Sequence, residues 1–234
     1  MESSSALLIL VACVIVALLV FAAVKLMRAH LSELRDIGIN EDVKAVTAAA
    51  EPEVVAEKSD AARTLLEAQE IIVVPGFGMG VSRAQFQLAA LAASLAEMGK
   101  SVRFAIHPAA GRMPGHMNIL LDEAEVPHTA VFDLEHINGR FSACDLALIV
   151  GANDVVNPAA REDVNCPNYG MPVLDTDKAR QVLAIKRGQG NGYSSINNPL
   201  FTRDNVRMIY GDAREILQNL LDEVKSHQDS PAGT

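Results

Sequence analysis

Apolar residues in this chain fall into short blocks separated by longer stretches of helical spacing. Residues 71–74, Ile-Ile-Val-Val, are an apolar and mostly β-branched run, as expected of a strand buried on both faces. The run passes through Pro75 into Gly76-x-Gly78-x-x-Val81, and an alanine-rich helical pattern then spans Ser82 to Glu97, with Gly99 as its C-cap. Further apolar runs predict strands at Ser101–Ile106, Thr129–Phe132, Leu146–Val150, Val182–Ile185 and Val206–Tyr210. Helices are predicted at Asn118–Ala124 and Ala213–Val224. Strands alternating with helices imply an α/β fold, a doubly wound parallel Rossmann-like sheet with its ligand loops at the carboxyl ends of the strands.

The N-terminal pattern differs. After a short tail, residues 1–5, the run Ala6–Val24 is uncharged and wholly apolar. As a helix it would extend roughly 28 Å, close to the hydrocarbon thickness of a bilayer, and it predicts one transmembrane helix. A signal peptide is disfavoured, because Glu2 precedes the run and no Lys or Arg does. Lys25, Arg28 and Arg35 follow it, so the rest of the chain is expected on the cytoplasmic side, as in a single-pass protein of a bacterial inner membrane. Residues 25–70 read as a linker. It is acidic and alanine-rich around Thr47–Lys58, broken by Pro52, and ends in a short helix over Ser59–Gln69 that serves as a solvated spacer. The folded domain is expected over 71–226, with a tail at 227–234.

Composition narrows the function. A net charge of −9 argues against a nucleic-acid partner, which would ask for a basic face. Three cysteines, Cys13, Cys144 and Cys166, form no CxxC pair, so neither a disulfide framework nor a zinc site is expected.

The chemistry lies at the predicted strand ends. Glycines after the first strand let the backbone approach a pyrophosphate, although a plain βα turn has the same pattern. An ordinary NAD site holds the ribose with an acid at the end of the second strand, but here that strand ends Ile106-His107-Pro108. Lys186-Arg187 ends the fifth strand and either grips a 2′-phosphate, which favours NADP(H) over NAD(H), or is a solvated charge pair, the better reading of these two residues without the other loops. Arg112 either contacts a phosphate or pairs with an acid such as Asp122. Asn153-Asp154 either faces the nicotinamide or ribose, or forms an Asx turn that caps the next helix. His107 and His116 read as hydrogen-bonded loop histidines, His128 and His136 as surface residues, and Cys144 and Cys166 as unreactive thiols.

From about Ile71 to Val224 the chain resembles domain III, the NADP(H)-binding domain of the proton-translocating NAD(P) transhydrogenase β subunit. The resemblance rests on Pro-Gly-Phe-Gly-Met-Gly-Val (75–81), His-Pro-Ala-Ala-Gly-Arg-Met-Pro-Gly-His-Met-Asn (107–118) and Gly-Ala-Asn-Asp-Val-Val-Asn-Pro-Ala-Ala (151–160). Gly-Met-Pro-Val-Leu (170–174), Lys-Arg…Gly-Tyr (186–193), Asn-Pro-Leu-Phe (198–201) and Gly-Asp-Ala (211–213) follow in the family order.

The resemblance implies a cofactor lying across the sheet in a reversed orientation. Its contacts would come from Gly76, Phe77, Gly78 and Val81 in the glycine turn, and from Ala109, Ala110, Gly111, Arg112, Met113 and Pro114 after the second strand. Gly151, Ala152, Asn153, Asp154 and Val155 follow the fourth strand, with Gly170 and Met171 beyond them. Lys186, Arg187, Gly188, Gln189, Gly190, Asn191, Gly192 and Tyr193 correspond to the family's lid loop, and Asp212 and Ala213 to the adenosine side. Asp154 matches the aspartate that couples cofactor state to proton movement. No side chain acts as nucleophile or base, since hydride passes directly between two nicotinamide rings, and no metal is implied.

Two departures bear on selectivity: Phe77 replaces the common tyrosine, and Gly188 replaces the common serine, loosening the lid. A third concerns the membrane. One span with no ionisable group except Cys13 cannot form a proton path, so further membrane subunits and an NAD(H)-binding subunit or domain are expected as partners, in a complex with two-fold symmetry. The main expectation is therefore the NADP(H)-binding component of a membrane transhydrogenase. The alternative is a membrane-anchored NADP(H)-binding regulatory or accessory subunit without hydride transfer. A soluble dehydrogenase is disfavoured by the absence of an acid/base constellation and of a substrate domain.

Overall fold

The computed structural model describes residues 60–188 and 192–229, together with Lys25. The apolar run 6–24, most of the expected linker, and Gln189, Gly190 and Asn191 lie outside the described residues. Among the described residues no helix is long and apolar enough to cross a membrane. Lys25 apart, all of them fall in the second of two units of the chain, Val55–Thr234.

Six strands form one wholly parallel sheet: β1 (Glu70–Pro75), β2 (Ser101–Ile106), β3 (Val131–Asp133), β4 (Leu146–Val150), β5 (Gln181–Lys186) and β6 (Val206–Tyr210). Their spatial order is β3-β2-β1-β4-β5-β6, the doubly wound Rossmann-type order. The chain leaves β1 toward one edge and β4 toward the other, so a crevice opens between these two strands at their carboxyl ends.

Both faces of the sheet are covered, which is why the central strands read as continuous apolar runs. On one face Ile71, Val73, Leu146 and Leu148 pack with helix residues such as Leu65, Leu88, Leu95, Leu217 and Leu220. On the other, Ile72, Val74, Ala147 and Ile149 pack with Ile137, Phe141, Val156 and Leu200. The helices are α1 (residues 60–67), α2 (Phe77–Val81), α3 (Gln85–Glu97), α4 (His116–Glu123), α5 (Leu134–Ile137), α6 (Ala159–Glu162) and α7 (Ala213–Asp229).

Three local expectations need correction. The glycine segment is not an open turn: residues 77–81 form α2, anchored by buried Met79, and the break falls at 82–84, where Arg83 takes a left-handed φ of 51°. The third strand starts at Val131, because Pro127 directs residues 128–130 into a 3₁₀ turn. The helix before β1 is no solvated spacer, since Ala61 and Leu65 have no exposed surface and belong to the core. Lys100 reaches under this helix and donates to the carbonyls of Leu66 (2.6 Å) and Ala68 (2.7 Å), closing its C-terminal end. Burial lowers the pKa of Lys100, against the opposing pull of Asp145.

Candidate functional site

The crevice begins with two backbones in contact. Gly76 N–H donates to Val150 O and Gly78 N–H to Gly151 O, each at 2.9 Å. A Cβ on Gly76 would lie 2.4 Å from Ala152 Cα, and one on Gly78 would lie 2.8 Å from Gly151 Cα. Gly151 has φ +68°, and a Cβ there would stand 2.5 Å from Gly78 Cα and Met79 N. The glycines thus let the β1 and β4 loops interlock, and one of the N–H groups expected to face a pyrophosphate is instead taken by Gly151 O.

Beside this contact lies a cleft of about 100 Å³, lined by Gly78, Val81 and Gly151 on one side and by Arg187, Asp212 and Ala213 on the other. The Arg187 side chain is 78% exposed and stands 3.8 Å from the Asp212 carboxylate. Asp212 also accepts the N–H of Arg214 at 2.9 Å, capping α7.

Deeper in, Asn153, Asp154 and Lys186 form a polar cluster. Lys186 Nζ donates to Asn153 Oδ1 at 2.9 Å and sits 4.3 Å from the centre of the Phe201 ring. Burial lowers its pKa, and the Asp154 charge opposes that shift. Asp154 does not cap the following turn. Its carboxylate accepts Ser194 Oγ–H (2.6 Å) and Ser194 N–H (3.0 Å), while Asn198 donates to Asn153 O at 2.9 Å. Asn157 does the helix-start work instead, accepting the N–H of Ala159 at 3.0 Å. Gly192, at φ +74°, is fitted against Asn153, and its Cβ would fall 2.7 Å from Nδ2. The segment after the fifth strand is therefore fastened to the loop after the fourth.

The loop after β2 closes the remaining side. His107 is buried; its Nδ1 accepts Ala109 N–H (3.0 Å) and its Nε2–H donates to Pro172 O (2.7 Å), which fixes one neutral tautomer. Burial lowers the His107 pKa, opposed by the Pro172 carbonyl. The same bond ties the 109–114 loop to the loop carrying Gly170 and Met171. Arg112 does not pair with Asp122: its guanidinium lies 4.7 Å from the centre of the Phe77 ring, and Asp122 pairs with His128 at 3.5 Å. The expected residues of the glycine turn, 109–114, 151–155, 170–171, 186–188 and 212–213 all converge on these carboxyl-end loops. Ala110, Ala152 and Val155 are buried and belong to the core.

A family model of the NAD(P) transhydrogenase beta subunit matches residues 5–223. The chain belongs to the NAD(P) transhydrogenase beta subunit family. NAD(P) transhydrogenase subunit beta of Rhodospirillum rubrum, and the same subunit from its strain ATCC 11170, are each 50% identical to it over 162 residues, 69% of this chain. The chain spans 35% of the length of those relatives. Among solved structures, the thiamine diphosphate-dependent 4-hydroxybenzoylformate decarboxylase of Rhodococcus jostii RHA1 shares 17% identity at a TM-score of 0.45, covering 76% of this chain and 29% of that one.

In this transhydrogenase-family chain, several fastening residues went unnoticed in the sequence. Ser194 belongs to no local signature, and Asn157 and Asn198 stood out only as parts of the motifs at 151–160 and 198–201. Tyr193, singled out in the lid, has a fully exposed side chain. Cys144 is buried, its thiol pKa pushed up to about 11 by burial, and it donates to Leu146 O at 3.1 Å. Cys166 is buried too. His128 and His136 are exposed, as expected.

Proposed function

We propose that this chain binds NADP(H) across the carboxyl ends of its sheet and is the NADP(H)-binding component of a membrane NAD(P) transhydrogenase. The observation that carries this reading is the cleft where the Gly78–Gly151 contact meets the Arg187 cation, with Lys186 held on Asn153 in the neighbouring loop, at a sheet whose second strand is followed by His107 rather than an acid. That set of groups fits a dinucleotide bearing a 2′-phosphate. Exposed Arg187 meets the phosphate through charge-assisted hydrogen bonds, and Lys186 contributes positive charge from within the cluster. Backbone of 109–114, 151–155 and 170–171 lines the rest, Asp212 and Ala213 flank the adenosine, and residues 186–193 cover it.

When bound, NADP(H) supplies the hydride chemistry, accepting or giving hydride at its nicotinamide ring. The protein positions that ring and excludes water. NAD(H) is held on a partner subunit or domain, and further membrane subunits supply the proton path of a Re/Si-specific enzyme with two-fold symmetry. The run 6–24 anchors the chain as a single span, with the nucleotide-binding unit in the cytoplasm. Asp154, fastened to Ser194, links nucleotide occupancy to the covering segment.

The test is calorimetric titration of the full chain in detergent with NADPH and NADH, followed by a hydride-exchange assay with a transhydrogenase NAD(H)-binding domain added. NADPH-selective binding with exchange is the expected result. Selective binding without exchange would make it an accessory subunit, and binding of neither nucleotide would overturn the reading.

A further inference from the structure

Apart from the groups assigned above, the described residues hold one dense charge cluster, and it sits behind two of the loops of the site. Arg161, in α6, donates to Glu162 (2.7 Å) and Asp177 (2.8 Å) and also pairs with Asp175. Arg203 donates to the same Oδ2 of Asp177 (2.9 Å) and to Glu162 (3.1 Å). Lys178 completes the cluster on Asp175 at 2.6 Å. Asp177 is the hub, with only 7% of its side chain exposed, and its single oxygen serves both guanidinium groups. Burial works against the charge of Arg161, but the surrounding carboxylates outweigh it and raise its pKa.

The two arginines belong to different loops. Arg161 and Asp175 bracket the loop that carries Gly170 and Met171, and Gly170 N–H donates back to Ala160 O at 2.9 Å, next to Arg161. Arg203 ends the segment that runs from Gly192 past Ser194 and Asn198, whose other end is fastened to Asp154 and Asn153. Through Asp177 and Glu162 the far ends of both loops are joined in one charged knot. Surface pairs taken singly stabilise little, whereas a network around a buried carboxylate is rigid and costly to open.

We propose that Arg161 and Arg203 are positioning residues which, by sharing Asp177 and Glu162, hold the 163–175 loop and the 192–203 segment in register and thereby set the rate at which bound nucleotide leaves. This inference rests on the NADP(H) reading above. Neither arginine needs to touch the nucleotide, since the effect is transmitted through the loops they anchor.

The experiment loads the full chain with NADPH and follows its release by fluorescence during a chase with excess NADP. Arg203→Met is expected to raise the release rate by roughly two- to thirtyfold, the range seen for substitutions that modulate coupling between sites. Its preference for NADPH over NADH should be unchanged, and Arg203→Lys should recover part of the loss. Glu162→Gln, at a half-exposed position, should give a smaller rise in the same direction and decides the matter if Arg203→Met does not fold. A lowered melting temperature with a wild-type release rate would make the knot purely structural and overturn the proposal. A wild-type chain that retains no NADPH would overturn the nucleotide reading itself, before any variant is compared.

Discussion

Gly78 and Gly151 touch backbone to backbone: the Gly78 N–H donates to Gly151 O at 2.9 Å, and neither residue has room for a Cβ. The contact joins the loops after β1 and β4 and sets the floor of the crevice between them. Its glycines are therefore required by protein against protein, before any ligand is considered.

Gly151→Ala should accordingly damage the fold as well as the site. The left-handed φ of +68° costs an L-residue about 1 kcal/mol, and forcing a methyl against Gly78 Cα adds roughly 1–3 kcal/mol. A loss of about 2–4 kcal/mol in urea unfolding is expected, with Gly78→Ala somewhat milder because its φ is unstrained. Unchanged stability in both variants would show that the loops can part freely.

The strands were legible because their signal is local. Ile-Ile-Val-Val and Leu-Ala-Leu-Ile-Val can bury both faces only as central strands, and β2, β4 and β6 begin and end where their apolar runs do. Residues 77–81 were harder, since glycine disfavours a helix, and the turn forms there because Gly151 O and the buried Met79 hold it in place. The candidate site was readable where motifs mark it, as at Lys186-Arg187. Ser194 on Asp154, and Arg161 with Arg203 on Asp177, join residues far apart in sequence, and no local period records such pairs. Helix 60–67 was misjudged because its few apolar residues look sparse until they are seen to fall on one buried face.

His107 makes stability depend on pH in a definite direction. Burial lowers its pKa below the ordinary 6.5, so across the window between the folded value and 6.5 the unfolded chain holds more protons. Stability contributed by neutral His107 is present above about pH 6.5 and is lost as the pH falls through that window. Exposed His136 works in the opposite sense: its hydrogen bond to Asp133 raises its pKa, and its contribution fades as the pH rises. His107→Gln should be less stable at pH 7.5 by about 2 kcal/mol, through imperfect replacement of two buried hydrogen bonds. Its stability should also fall less steeply on acidification than that of the wild type. Parallel pH profiles for the two proteins would remove His107 as the cause.

Ser194→Ala deletes the hydroxyl that donates to Asp154 at 2.6 Å and leaves the Ser194 N–H bond intact. Losing one hydrogen bond to a charged acceptor costs about 1.5 kcal/mol, equivalent to roughly tenfold in affinity. The loss should appear as weaker NADPH binding by calorimetry, together with a fall of about 3–6 °C in melting temperature. Tyr193→Ala is the comparison: its ring is fully exposed, so the substitution should leave stability unchanged. Equal NADPH affinity in wild type and Ser194→Ala would mean that fastening the segment at Asp154 does not contribute to holding the nucleotide.

Residues 60–67 should prove indispensable to the folded unit. Leu65 has no exposed surface and packs in the same cluster as Leu217 and Leu220 of α7, so Leu65→Ala is expected to cost about 2–5 kcal/mol. Lys100→Met would leave the carbonyls of Leu66 and Ala68 without their shared donor, at about 1–3 kcal/mol. The two losses should be less than additive, because both act by loosening the same helix from the sheet. A fragment beginning at residue 71 lacks that helix altogether and should unfold without a cooperative transition, whereas one beginning at residue 55 should retain it. Circular dichroism melts of the two fragments are the check, and a cooperative transition in the shorter one would show that the sheet can close its core without α1.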